Sequence, residues 1–229
     1  MSAMPASHGH NEACCNIPPV VISGYQAKGS YKEFDNLKTY VTGPDDATKG
    51  IVVIYDIFGY FDQTIQGADI LAAGHHQKYK VFMPDWFQGE PCPIEWLPEF
   101  VKALEAQNPS IKSWAVIGFC WGGKIVSLVT SSDNNPFSVG AECHPAMVDP
   151  SEAVDIKVPL IMLASKEEPE EEVAKFEANL KGAAKHVETF KDQVHGWMAA
   201  RADLKDDRVK EEYSRGYKTV LEFFAKNWS

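Results

Sequence analysis

Apolar residues follow two rhythms along this chain, and the rhythms alternate. Ile51-Val52-Val53-Ile54-Tyr55-Asp56 is an almost unbroken, β-branched run, the pattern of a strand covered on both faces. Tyr79 to Asp85, Trp114 to Phe119, Phe137 to Cys143, Val158 to Ala164 and His186 to Phe190 predict further strands. Pro18 to Ile22 and Leu37 to Thr42 predict short edge or hairpin strands bounded by Gly and Pro. Between these runs the period changes. Gln63 to Gln77 sets Ile65, Ala68, Ile70, Leu71 and Ala72 on one helical face, and Phe100 to Ala106 predicts a weaker helix. Lys124 to Val129, the acid-rich stretch Pro169 to Leu180, and Val209 to Trp228 complete the set. Strands alternating with helices imply an α/β fold, a mostly parallel central sheet with helices on both faces. Ligands on such sheets sit beyond the carboxyl ends of the strands. Asp56, Asp85, Cys120, His144, Glu167 and His195 all fall at or just after predicted strand ends.

With 229 residues, 45% of them hydrophobic, the chain can bury one substantial core, so a single domain over 17–229 is expected after a polar tail at 1–16. A formal charge of −10 argues against a nucleic-acid or anionic-membrane partner. No apolar stretch is long enough for a membrane-spanning helix, and the first residues lack the pattern of a secretory signal. Cysteines at 14, 15, 92, 120 and 143 form an odd, scattered set that suits a reducing compartment, with cytoplasm as the default. His8, His10, Cys14 and Cys15 match no standard zinc spacing, so no metal site is expected there. Nothing in the sequence speaks to oligomeric state.

Gly118-Phe119-Cys120-Trp121-Gly122-Gly123 carries the strongest chemical signal. Small residues flank a central cysteine at G-x-C-x-G spacing, as a nucleophile elbow requires, because its central side chain sits on a strained strand-to-helix turn. A thiol at a helix start meets backbone N–H groups and a positive dipole end, both of which favour thiolate. Its plain alternative is a buried cysteine in a Gly-rich turn. A nucleophile needs a base, and the base an orienting acid. His195, in Asp192-Gln193-Val194-His195-Gly196-Trp197, follows the last strand; His75, His76 and His144 are its rivals. Chain order in open α/β hydrolases, nucleophile then acid then base, favours His195. The acid then belongs to Ser165-Lys166-Glu167-Glu168; Glu167 fits that strand end better, and Glu168 is the alternative.

The motifs Ile54-Tyr55-Asp56-Ile57-Phe58-Gly59, Gly118 to Gly123, His144-Pro145 and His195-Gly196-Trp197 resemble the dienelactone hydrolase family of α/β-hydrolases, its fungal members most of all, from about Pro18 to Trp228. The resemblance implies a Cys-acid-His triad of Cys120, Glu167 and His195, with glutamate replacing the family's usual aspartate. It implies an oxyanion hole from the backbone N–H groups of Ile57 and Trp121, and no cofactor. Asp56 stands where the family carries a glutamate that pairs with the resting nucleophile, which implies a gating role; a carboxylate bonded to its own loop is the alternative. The implied reaction is hydrolysis of a small ester or lactone through a thioester acyl-enzyme. Bacterial members hold the substrate carboxylate with two arginines that are missing here at the corresponding places, Arg201 lying two residues beyond one of them. A pocket of Trp86, Phe87, His144, Trp197, Met198 and Arg201 is expected instead, favouring less anionic, more aromatic substrates. The competing class is a non-hydrolytic ligand-binding or thiol redox-sensing protein on the same fold. Hydrolysis requires the sulfur and the imidazole to share one crevice that solvent reaches.

Overall fold

A computed structural model of the protein describes residues 18–21, 24–74, 78–87, 96–181 and 183–229. The tail with its histidines and cysteines, His75, His76 and Cys92 lie outside the described residues. Eight strands form one sheet: β1 Ser30–Phe34, β2 Leu37–Thr42, β3 Lys49–Ile54, β4 Tyr79–Pro84, β5 Ser113–Phe119, β6 Val139–Cys143, β7 Leu160–Ser165 and β8 Lys185–Phe190. Their spatial order is β1-β2-β4-β3-β5-β6-β7-β8. β2 runs antiparallel to both β1 and β4, while β3 to β8 pair in parallel. The helices are α1 Asp62–Ala73, α2 Trp96–Gln107, α3 Trp121–Thr130, α4 Glu170–Asn179 and α5 Asp207–Asn227, with a 3₁₀ turn at Glu152–Val154.

The central strands are apolar on both faces because both are covered. α1 and α5 touch each other and lie against β4, β6 and β7, whereas α3 packs on β3, β5 and β6. Ile51 to Ile54 and Ala115 to Phe119 are accordingly buried without a break. α5 starts where Asp206 accepts the N–H groups of Arg208 and Val209, which relieves two of the donors a helix start leaves without partners. It closes over the sheet with Tyr213, Tyr217, Val220, Leu221 and Phe224.

Strand order reverses at β3, which has β4 on one side and β5 on the other. Loops leaving two such strands at their carboxyl ends diverge and open a crevice. Ile54 is in register with Gly118, so the Asp56 loop and the Cys120 turn leave the sheet side by side.

Two expectations change. Pro18–Val21 forms no strand; two prolines remove backbone donors there, and Val20 instead donates one hydrogen bond to the Ala200 carbonyl at 2.9 Å. The hairpin partner of β2 is Ser30–Phe34, joined to it by Asp35 and Asn36 at φ 49° and 60°, the positive pair that a two-residue hairpin turn needs.

Candidate active site

The turn after β5 is built by steric exclusion. Cys120 has φ 54° and ψ −112°, a conformation that costs on the order of 1–3 kcal/mol for a residue with a side chain. It persists because its surroundings leave no alternative. A Cβ on Gly118 would be driven into the Gly122 carbonyl, one on Gly122 into the Ile54 carbonyl, and one on Gly123 to 2.9 Å from the Pro145 Cα. The Cys120 N–H donates to the Cys143 carbonyl at 3.1 Å, and its carbonyl accepts the Ala146 N–H at 2.9 Å. Lys124, four residues on, reaches back to the Met147 carbonyl at 3.1 Å and pairs with Glu152. The loop 144–147, itself strained at His144 (φ 40°) and Met147 (φ 54°), is thereby fastened to the elbow.

Cys120 is 1% exposed, packed against Ala146, Trp121 and Met147. The sulfur therefore does not stand open to solvent as the sequence reading requires; the fastened loop packs over it. Trp121 opens α3, so its N–H is one of those for which a helix offers no internal acceptor, and Ile57 is 43% exposed on the neighbouring loop.

The base loop is built by hydrogen bonds instead. His195 Nδ1 lies 2.6 Å from Glu168 Oε1, with both side chains fully buried. A carboxylate only accepts, so Nδ1 carries a hydrogen and Nε2 is the nitrogen left to exchange a proton. Glu168 also accepts the Ser165 hydroxyl at 3.1 Å and the Ser165 N–H. Glu167, the acid expected at His195, is not the one on the ring. Its carboxylate takes the backbone N–H of His195 at 2.7 Å and the Ser165 hydroxyl at 3.1 Å. The chain turns tightly after Ser165, which carries the residue three positions on, Glu168, back over the strand end and under the imidazole.

Around this pair sits a buried charge cluster. Asp56 accepts the Phe58 N–H of its own loop at 2.9 Å and the Ala200 N–H of the loop after β8 at 3.4 Å. Burial pushes its carboxyl up to about 6, against the pull of those two N–H groups and of the Arg201 and His195 charges. Arg201 donates to the His195 carbonyl at 3.3 Å and lies 5.0 Å over the Phe58 ring. His144 is fully buried, its ring 5.2 Å from that of His195 at 70°. Burial, with the His195 and Arg201 charges, holds its imidazole well below the usual histidine range, hence neutral.

Three residues expected on the pocket wall belong to the core. Trp86 donates its indole N–H to the Val53 carbonyl at 3.0 Å and meets Phe100 edge-on. Trp197 stacks on Phe190 at 4.2 Å and presses so closely on α5 that residue 216 must be glycine. Met198 packs its sulfur at the same point and gives its carbonyl to the Tyr217 hydroxyl. Phe87 does reach the elbow, its ring 5.0 Å from that of Trp121 and both partly buried. Sequence reasoning missed Lys124 and Glu152 as the fastening of the elbow; a lysine one turn into the helix after the nucleophile was the available signal. Among the described residues no group of three or more His, Cys, Asp or Glu could hold a metal ion, and no helix is long and apolar enough to cross a membrane.

The sequence profile of the dienelactone hydrolase family matches residues 94–228, more than half of the chain and the part that carries Cys120, Glu168 and His195. The chain belongs to the dienelactone hydrolase family. It is 33% identical to an uncharacterized AIM2 family protein of Schizosaccharomyces pombe, over 87% of this chain and 92% of that one. A carboxymethylenebutenolidase homolog of Xenopus tropicalis is 28% identical, over 94% and 98%. Among solved structures, an esterase of Pyrococcus furiosus aligns with a TM-score of 0.65 at 17% identity, over 93% of this chain and 97% of that one, a likeness of fold alone. Membership makes the chain one of a family of hydrolases on the α/β-hydrolase fold, with small molecules as the class of substrate.

Proposed function

We propose that the protein hydrolyses small esters or lactones through a thioester on Cys120. The observation that carries this reading is the fully buried His195–Glu168 pair at 2.6 Å, set at the same end of the sheet as a cysteine held at φ 54° on a glycine-walled elbow. In this reading Glu168 fixes the imidazole through Nδ1, and Nε2 takes the thiol proton as the sulfur attacks the carbonyl. The carbonyl oxygen becomes an oxyanion between the N–H groups of Trp121 and Ile57. Donors so placed act only on charge that develops in the transition state, each worth about 2.7–4 kcal/mol. The alcohol leaves with the proton from His195, and water at the same imidazole releases the acid.

Arg201 lies against the His195 carbonyl, and its charge is already set against Asp56. The rim offers Phe87, Trp121 and the exposed Ile57. Neutral esters with an aromatic or apolar acyl group fit that surface better than a dienelactone carboxylate does. Asp56 near the sulfur's exit from the sheet is the proposed gate that keeps the resting thiol protonated. A thiol-dependent mechanism suits a reducing compartment such as the cytoplasm.

Turnover of p-nitrophenyl acetate tests the reading. Cys120→Ala and His195→Ala are each expected to lower kcat/KM at least about a hundredfold. Stoichiometric thiol modification without turnover in the wild-type protein would instead establish the redox-sensing reading.

A further inference from the structure

We propose that His144 holds the water that hydrolyses the thioester, one imidazole nitrogen accepting a hydrogen bond from that water while His195 takes its other proton. The inference rests on the acyl-enzyme chemistry above and assigns a separate residue to its second half.

Three observations carry it. His144 is fully buried, yet neither ring nitrogen has a hydrogen-bond partner among the described residues. An unmet buried polar group costs about 1–3 kcal/mol, so a phenylalanine would fill the same space at less expense if space were the only requirement. The ring also meets the histidine of the base loop and the last residue of β5. It lies 5.2 Å from the His195 ring, and 5.8 Å from that of Phe119, the residue that precedes the nucleophile. Finally, the side chain hangs from a fixed backbone. The His144 N–H donates to the Leu163 carbonyl at 2.7 Å, and the next turn is tied to Cys120 through the Ala146 N–H. A histidine kept in a strained turn (φ 40°), buried, neutral and with no other residue bonded to its nitrogens is an acceptor awaiting a small polar guest.

The step balances without any further reagent. The water oxygen adds to the thioester carbonyl as one of its protons passes to His195, and the remaining O–H donates to His144. The adduct then collapses, the carbon–sulfur bond breaks, and its electron pair returns to Cys120. The proton on His195 follows to the sulfur, and the carboxylic acid leaves. His144 stays neutral throughout, since the imidazolium beside it opposes a second charge. No water enters the acylation step, so loss of His144 slows only the second half.

Rapid mixing with p-nitrophenyl acetate separates the halves. In His144→Phe, the first equivalent of p-nitrophenolate is released within about threefold of the wild-type rate. Steady turnover falls at least about tenfold, the loss expected for one hydrogen bond to a reacting group, and acetyl accumulates on Cys120. His144→Asn and His144→Gln each return one acceptor, at either end of the ring; at least one of them deacylates about fivefold or more faster than the Phe variant. Equal slowing of both halves, unchanged deacylation, or no recovery in either amide variant overturns the inference. Should the Phe variant fail to fold, as its unfolding midpoint would show, Asn and Gln are compared directly; unequal deacylation with equal acylation supports the role, and equal deacylation overturns it. A wild-type protein that never acetylates Cys120 refutes the thioester reading itself, a result distinct from any of these.

Discussion

The elbow after β5 and the base loop after β8 hold their reactive groups by opposite means. At the elbow the turn itself is held by the lack of side chains: Gly118, Gly122 and Gly123 let backbone meet backbone, and the strained Cys120 has nowhere else to go, with Lys124 and Glu152 tying the neighbouring loop to it. At the base loop Gly196 alone takes a positive φ, 96°, and two neighbouring carboxylates hold His195 itself, Glu167 on its N–H and Glu168 on its ring. Steric fixation fails all at once, because a clash must move the whole turn. Fixation by hydrogen bonds fails one bond at a time, so the contribution of each can be read separately.

Gly122→Ala breaks the first kind most severely. Its methyl group would be driven into the Ile54 carbonyl, at the point where β3 and α3 meet. We expect a loss of more than about 3 kcal/mol in urea unfolding, with activity lost alongside stability. Glu168→Gln addresses the second kind. An amide in that position offers N–H where the ring needs an acceptor, so kcat falls roughly a thousandfold while the fold survives. Glu167→Gln, which keeps an oxygen for the His195 N–H, costs less than about tenfold. Similar losses from the two glutamates would erase the division of labour between them.

The smallest effect lies beneath the elbow helix. Burial pushes the Glu142 carboxyl up to about 8 beside Ser127, Glu152 and Lys124, from an ordinary value of 4.5. A carboxyl whose folded value is raised holds its proton more tightly folded than unfolded, so its stabilisation is complete below about 4.5 and is lost as pH rises through about 8. Glu142→Gln keeps an acceptor for the Ser127 hydroxyl and cannot ionise. Its stability relative to the wild type should grow as pH rises from about 4.5 to about 8 and then level off, as denaturant titrations at several pH values would show.

What the sequence revealed follows the same division. The elbow was legible because close backbone approach permits only glycine, a demand visible in the letters. β3 and β5 were legible because burial on both faces leaves an unbroken apolar run. Glu168 was not, since two adjacent glutamates look alike until the turn after Ser165 decides which one returns to the strand. β1 was missed because Ser30 to Glu33 are polar and exposed; only the Asp35-Asn36 turn announced it. Trp197 and Met198 sit beside His195 in sequence but face α5, and nothing in their spacing distinguishes pocket from core.

The central claim is that Cys120 carries the acyl group. Reaction with p-nitrophenyl acetate, an acid quench within the first turnover, and peptide mapping by mass spectrometry test it directly. The account predicts acetyl on the peptide containing Cys120 in the wild type, and neither that adduct nor turnover in Cys120→Ala. Turnover that survives in Cys120→Ala, with acetyl found on another residue, would contradict it.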